Sequence, residues 1–230
     1  MSNNFITNNK DQKTLEQRLK TLISVSDELK FLVGYFYFHG WSAIYDGLQK
    51  NPQQRLKILV GMQVCNVAGS IVEYAEQHEI PASREEEFQK YLISLGVALN
   101  NVKMDTEEAH NQVRFFLEMI AEERLIIRKT ENPNHAKLYL FQLNEGQADI
   151  HGKPGKLITG SSNLTRPGLH GQEEFNVEIS DYGYPEASDY FDELWERAIP
   201  ITEAMQNRTQ LVHFIQHKTQ TATVTALSAN

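Results

Sequence analysis

Short runs of β-branched and aromatic residues alternate along this chain with segments whose apolar residues recur at helical spacing, and that alternation confines it to a layered α/β domain. Leu15, Leu19, Leu22 and Ile23 share one stripe, which predicts a helix over residues 14–25. Residues 28–38 and 55–62 read as buried strands separated by a short helix over 41–49. Helices are expected over 85–95 and 107–123, the second with Val113, Phe116, Leu117 and Ile120 aligned. Strands follow at 124–128, 135–142, 156–160 and 175–180, then amphipathic helices at 185–198 and 202–217. No internal repeat is present. Residues 1–12 are polar and expected to be flexible, residues 13–200 form the domain, and residues 201–230 are expected to be a helix with a low-complexity tail, either a frayed end or a linker to a further domain.

A length of 230 residues suits one large domain or two small ones, and 40% apolar with 23% charged residues supports a packed core. The net charge of −8 excludes a uniformly basic coat for nucleic acid but not a local patch. Between Arg124 and His170, seven basic residues stand against three acidic ones, so that segment carries +4 while the remainder carries −12. Such an island is either a phosphate-binding surface or a fluctuation in a short window. The single cysteine, Cys65, cannot form an internal disulfide or a four-thiolate zinc site. With no apolar stretch of signal-peptide or membrane-helix length, the chain is expected in the cytoplasm.

The residues with chemistry to offer are His135-Ala-Lys137 and Gly160-Ser-Ser-Asn163. On a strand, positions i and i+2 share a face, so His135 and Lys137 stand side by side. Leu138, Leu140 and Ile158 nearby point to burial, where an imidazole and an ammonium need an anion. Gly160, at a strand end, lets the backbone approach a ligand, and Ser161 and Asn163 add a hydroxyl and an amide. One nucleophile or base, one cation and two hydrogen-bonding groups suit a tetrahedral phosphate. Each has a plainer reading. His135 alone would be a satisfied structural histidine. Asn163 would cap the following turn, and Glu174 would be a solvated edge residue. His213 and His217 lie one helical turn apart but lack the intervening glutamate of a zinc-protease helix. His151 belongs to a glycine-rich loop, and the aromatic run from Tyr35 to Phe38 reads as core and interface rather than a stacking platform.

HAKLYLF, ITGSSNLTRPGL and EEFNVEI together resemble the phospholipase D superfamily. The family pattern is His-x-Lys, an Asp after four residues, then Gly-Ser-x-Asn. Here Gln142 stands at the Asp position, and the connection to Gly160 is longer than in the family. The Asp is commonly missing in the nuclease branch with one motif per chain, so this departure counts against a phospholipase more than a nuclease. Upstream, FLVGYFYFHGWSAIYDGL and RLKILVGM are similar to the amino-terminal domain of some bacterial Swi/Snf-type helicases and restriction-associated proteins. The resemblance implies a mixed β-sheet flanked by helices on both faces, and a homodimer that brings two single motifs together. It further implies a metal-independent nuclease acting on nucleic acid, with DNA the expected form. His135 is then the nucleophile, and the second copy's His135 the acid and base. Lys137, Asn163 and Ser161 bind the phosphate, and Glu174, with Glu173 as fallback, orients the imidazole. No metal or other cofactor is implied. The alternative is a non-catalytic DNA-binding or dimerisation module serving a helicase in the same or a partner chain. A phospholipase fits least, since no second motif or basic interfacial helix is present.

Overall fold

The computed structural model describes residues 5–8, 14–36, 38–61, 64–67, 70–73, 85–86, 88–89, 92, 106–170 and 172–228. The strands are β1 (Phe5–Ile6), β2 (Ser26–Val33), β3 (Arg55–Val60), β4 (Val64–Val67), β5 (Ser70–Glu73), β6 (Leu125–Lys129), β7 (Leu138–Leu143), β8 (Gly155–Gly160), β9 (Asn176–Ile179) and β10 (Ile199–Pro200). The helices are α1 (Leu15–Ile23), α2 (Phe38–Gln49), α3 (Glu107–Ala121), α4 (Glu145–His151), α5 (Arg166–His170), α6 (Tyr184–Arg197) and α7 (Met205–Ser228).

Eight strands form one mixed sheet in the order β1-β9-β8-β7-β2-β3-β6-β10. Its centre, β2-β3-β6, is parallel, because α2 carries β2 over to β3 and α3 leads into β6. Strands β7, β8 and β9 add antiparallel on one side. Among the described residues, β4 and β5 pair only with each other.

Two layers of unequal thickness cover the sheet. The thicker holds α1, α2, α3 and α7 against residues such as Phe31, Ile58, Ile127 and Tyr139. The thinner is built on α6, whose Phe191 and Trp195 pack on Leu32, Leu59, Leu140 and Leu157. Helix α1 shows how the sequence drives this. Thr14 caps it by accepting the Gln17 N–H at 3.3 Å, and Leu15, Leu19, Leu22 and Ile23 all lie inside. Each buried side chain of that kind stabilises the fold by roughly 1.5–3 kcal/mol. Helix α6 is tied down differently: buried Lys30 on β2 donates to Ser188 Oγ at 2.9 Å and to Asp192 at 2.6 Å.

Several boundaries depart from the sequence reading. Gly34, Tyr35 and Phe36 lie beyond the end of β2, whose pairing stops at Leu32 against β7 and at Val33 against β3, and α2 starts at Phe38. Phe5 and Ile6 are not loose: they pair with β9, and Ile6 is buried. Residues 145–151 form a helix, capped by Asn144 at its start and by Gly152 at φ 64° at its end. Helix α7 continues through the segment read as a tail, with neither Gly nor Pro to stop it, and Leu211 and Ile215 join the thicker layer. The helix expected over 85–95 falls largely outside the described residues. Glu85, Glu86, Phe88, Gln89 and Leu92, which are described, are helical, with Phe88 and Leu92 buried. Among the described residues no helix is long and apolar enough to cross a membrane.

Arg18 on α1 makes a two-pronged ion pair with Glu178 on β9, joined by Lys156 at 4.0 Å. Burial pushes the Glu178 carboxyl up, but the Arg18 hydrogen bonds and charge outweigh it and hold the group below its ordinary value of 4.5. A depressed carboxylate stabilises the fold above its unfolded value and loses that contribution as pH falls through the folded one. Glu178→Gln is therefore expected to melt below the wild type at pH 6, and the two melting temperatures should converge as pH falls through the lowered Glu178 value. A constant offset across that range would refute the coupling.

Candidate active site

The C-terminal ends of β2, β3, β6 and β8 and the N-terminal ends of β7 and β9 all lie at one end of the sheet. In open α/β sheets that end is where ligands bind. His135 and Lys137 stand just before β7, and Ser161 and Asn163 just after β8. Glu174 lies two residues before the start of β9. The topology thus brings both sequence motifs together.

The histidine and lysine do not sit on a buried strand face. Pairing of β7 begins with Leu138 opposite Leu32, so residues 135–137 project past the sheet end. His135 is exposed and Lys137 half-buried. Their segment is braced from behind. The Asn134 N–H donates to the Gly61 carbonyl at 3.0 Å, and Asn134 Oδ1 accepts the Ala136 N–H at 2.8 Å. Upstream, the buried Thr130 hydroxyl donates to the Asn132 carbonyl at 2.6 Å. Among the described residues the His135 side chain has no hydrogen-bond partner, which leaves both ring nitrogens for chemistry.

Lys137 and Asn163 converge above Gly34, the first residue after β2. A Cβ placed there would lie 3.0 Å from Asn163 Oδ1 and 3.8 Å from Lys137 Nζ. Asn163 Oδ1 accepts the Tyr35 N–H at 3.2 Å, so the amide is turned back toward β2 rather than capping the next turn. The capping there is done by Thr165, whose hydroxyl accepts the Gly168 N–H at 3.3 Å. Lys137 Nζ donates to the His135 carbonyl at 2.5 Å, which pins the ammonium beside the histidine.

Ser161 and Glu174 form a second group. The Ser161 hydroxyl donates to the Glu174 carboxylate and accepts the Phe175 N–H at 3.0 Å. The serine's proton is thereby engaged within the protein, and no hydrogen bond joins Glu174 to His135 among the described residues. Glu173 is exposed. Beneath them lies a buried network absent from the sequence reading. The Tyr139 hydroxyl donates to the Ser162 carbonyl at 2.8 Å, and Asn176 Nδ2 donates to Ser162 Oγ at 2.9 Å while its Oδ1 accepts the Ser162 N–H at 3.3 Å. Burial pushes the Tyr139 hydroxyl far up, with the charge of Glu174 adding to it, so the phenol stays a donor. Asn176 sits two residues after Glu174 in the same motif, which is the signal that could have found it.

Folding neutralises part of the positive island. Arg128 pairs with Glu203, Lys153 with Asp181 and Lys156 with Glu178, acids far away in sequence, and Arg124 pairs with nearby Glu122. Gln142, at the family Asp position, is exposed opposite Glu28 and Gly155. A polar cleft of about 650 Å³ lined by Glu28, Arg55, Lys57 and Arg124 opens at the other end of the strands, away from the histidine.

No protein-family model matches the sequence, and no curated protein matches it. Solved structures do. Phosphatidylserine synthase from Haemophilus influenzae Rd KW20 superposes with a TM-score of 0.50 at 14% identity, over 95% of this chain and 46% of that one. This chain thus spans about half the length of that relative. NucT from Helicobacter pylori gives 0.42 at 11% identity, covering 80% of this chain and 89% of its own. Nuc from Salmonella typhimurium, a phospholipase D family member, gives 0.40 at 9% identity over 80% and 88%. The likeness is one of fold: a mixed sheet with helices on both faces, as the sequence resemblance implied.

Proposed function

We propose that this chain is a metal-independent phosphodiesterase acting on nucleic acid, with DNA the favoured form. The observation that carries the reading is the convergence of Lys137 Nζ and Asn163 over Gly34, beside a histidine with no other bonding partner among the described residues. The ammonium is a donor for the non-bridging oxygens of a phosphodiester, and Asn163, with its Oδ1 held by the Tyr35 N–H, keeps its Nδ2 as a second donor; together they stabilise the extra charge of a five-coordinate phosphorus. The imidazole is the nucleophile.

One histidine cannot both attack and protonate, so the reading requires two copies of the chain facing each other across the phosphate, as an isologous dimer allows. His135 of one copy, neutral, forms an N–P bond as the P–O bond to the leaving group breaks. His135 of the other copy, protonated, gives that oxygen its proton. The same imidazole then takes a proton from water as the water oxygen bonds to phosphorus and the N–P bond breaks. Ser161 and Glu174, joined by their hydrogen bond, act as positioning residues for the loop that carries Asn163.

The test is nicking of supercoiled plasmid in EDTA by wild type and His135→Ala. The substitution should cut the rate by roughly 10³-fold or more, and a phosphohistidine should be trapped only on the wild type. Equal rates would refute the reading. Retained DNA binding without turnover by either protein would favour a binding module serving a helicase, which the Gln142 departure also motivates.

A further inference from the structure

Phe5 and Phe175 are 52% and 55% exposed, with ring centroids 5.3 Å apart and planes tilted by 32°. Scattered apolar side chains on a surface need no explanation. These two are not scattered, and they are held firmly. Phe175 follows Glu174 directly, its N–H donates to Ser161 Oγ at 3.0 Å, and its carbonyl accepts the Ser161 N–H at 3.1 Å. Phe5 is brought beside it by β1, which pairs with β9 and is anchored by buried Ile6. The chain thus carries an N-terminal strand of two residues across to the site end of the sheet and sets an aromatic ring in water there.

Two half-exposed rings offer on the order of 200 Å², well short of the roughly 800 Å² per partner that a stable protein contact buries. They match the face of a nucleobase. A base within a duplex already stacks on its neighbours, so the face must belong to an unpaired one. We infer that Phe5 and Phe175 form a stacking subsite for an unpaired base next to the phosphate held at Lys137 and Asn163, which makes the substrate single-stranded nucleic acid. The inference rests on the nucleic-acid reading above and adds to it the strandedness of the substrate.

Binding is to be measured by fluorescence anisotropy in the His135→Ala background, so that turnover plays no part. The probes are a labelled oligothymidylate, an abasic sugar-phosphate chain of the same length and a duplex. Phe175→Ala and Phe5→Ala should each weaken oligothymidylate binding about tenfold and leave the abasic chain and the duplex unchanged. Phe175→Leu, which keeps the apolar bulk but not the ring, should show the same selective loss. Equal weakening on all three probes, or no change on any, would overturn the subsite while leaving the phosphodiesterase reading intact. A loss of dimer mass in sedimentation would instead assign the rings to contact between copies and likewise overturn it. Failure of every probe to bind the parent protein would overturn the nucleic-acid reading itself, and the subsite with it.

Discussion

Lys137→Met is expected to fold like the wild type and to lose about 10²–10³-fold in phosphodiester cleavage. The methionine keeps most of the aliphatic stem, which is what packs. The ammonium makes one hydrogen bond within the protein among the described residues, to a carbonyl that water can satisfy on the exposed side of the loop. What disappears is the positive charge aimed at the point above Gly34 that it shares with the Asn163 amide. Phosphorus passing to five-coordination gains charge on its outer oxygens, so the loss falls on the chemical step rather than on binding alone. Single-turnover cleavage alongside a thermal melt separates the two. An unchanged single-turnover rate would remove Lys137 from the machinery, and a collapsed melt would show its role to be structural.

Gly61→Ala attacks the same site through the backbone. A Cβ there would overlap the Asn134 carbonyl oxygen and lie 2.7 Å from its carbonyl carbon. Neither side can yield cheaply, since the Gly61 N–H donates to the Val33 carbonyl at 2.8 Å and the Gly61 carbonyl accepts the Asn134 N–H at 3.0 Å. Overpacking against fixed backbone costs about 3 kcal/mol, equivalent to a drop of roughly 6–12 °C in melting temperature for a domain of this size. The easiest relief is for residues 132–135 to swing away, which carries His135 with them. A displacement of about 1 Å is enough to cost roughly 10²-fold in rate. Activity should therefore fall at temperatures where the variant is still folded. A variant with wild-type melting and wild-type cleavage would refute the bracing of the histidine segment by β3.

How much of this was readable in advance depends on whether a feature is written in side chains or in their absence. The central strands were legible because β2 and β3 are runs of large apolar residues buried on both faces, though their parallel pairing was not read from them. His135, Lys137, Ser161 and Asn163 were legible because the motif spacing survives as letters. Gly34 and Gly61 were not. Each matters for a missing Cβ, and only placing Asn163 and Asn134 shows what that atom would strike. The Tyr139–Ser162–Asn176 network was hidden because Tyr139 reads as one more aromatic residue in a strand. The +4 segment could not be resolved from sequence because linear charge ignores partners 75 residues away, such as Glu203 for Arg128. Helix α4 was missed although Asn144 and Gly152 bracket it, since a glycine-rich ending reads as loop until the cap is seen.

The chain has two tryptophans, and the sheet separates them. Trp41 is sealed in the thicker layer, its indole N–H donating to the Gln112 carbonyl at 3.0 Å and its ring meeting Phe116 edge-on. Trp195 lies in the thinner layer, stacked on Phe191, with the Arg128 guanidinium 4.4 Å from its ring centre. Tryptophan emission from the folded protein is thus the sum of two unlike chromophores, one in apolar surroundings and one facing a cation. Each reports on its own side of the sheet, and a single optical trace holds a separate record of how either side comes apart.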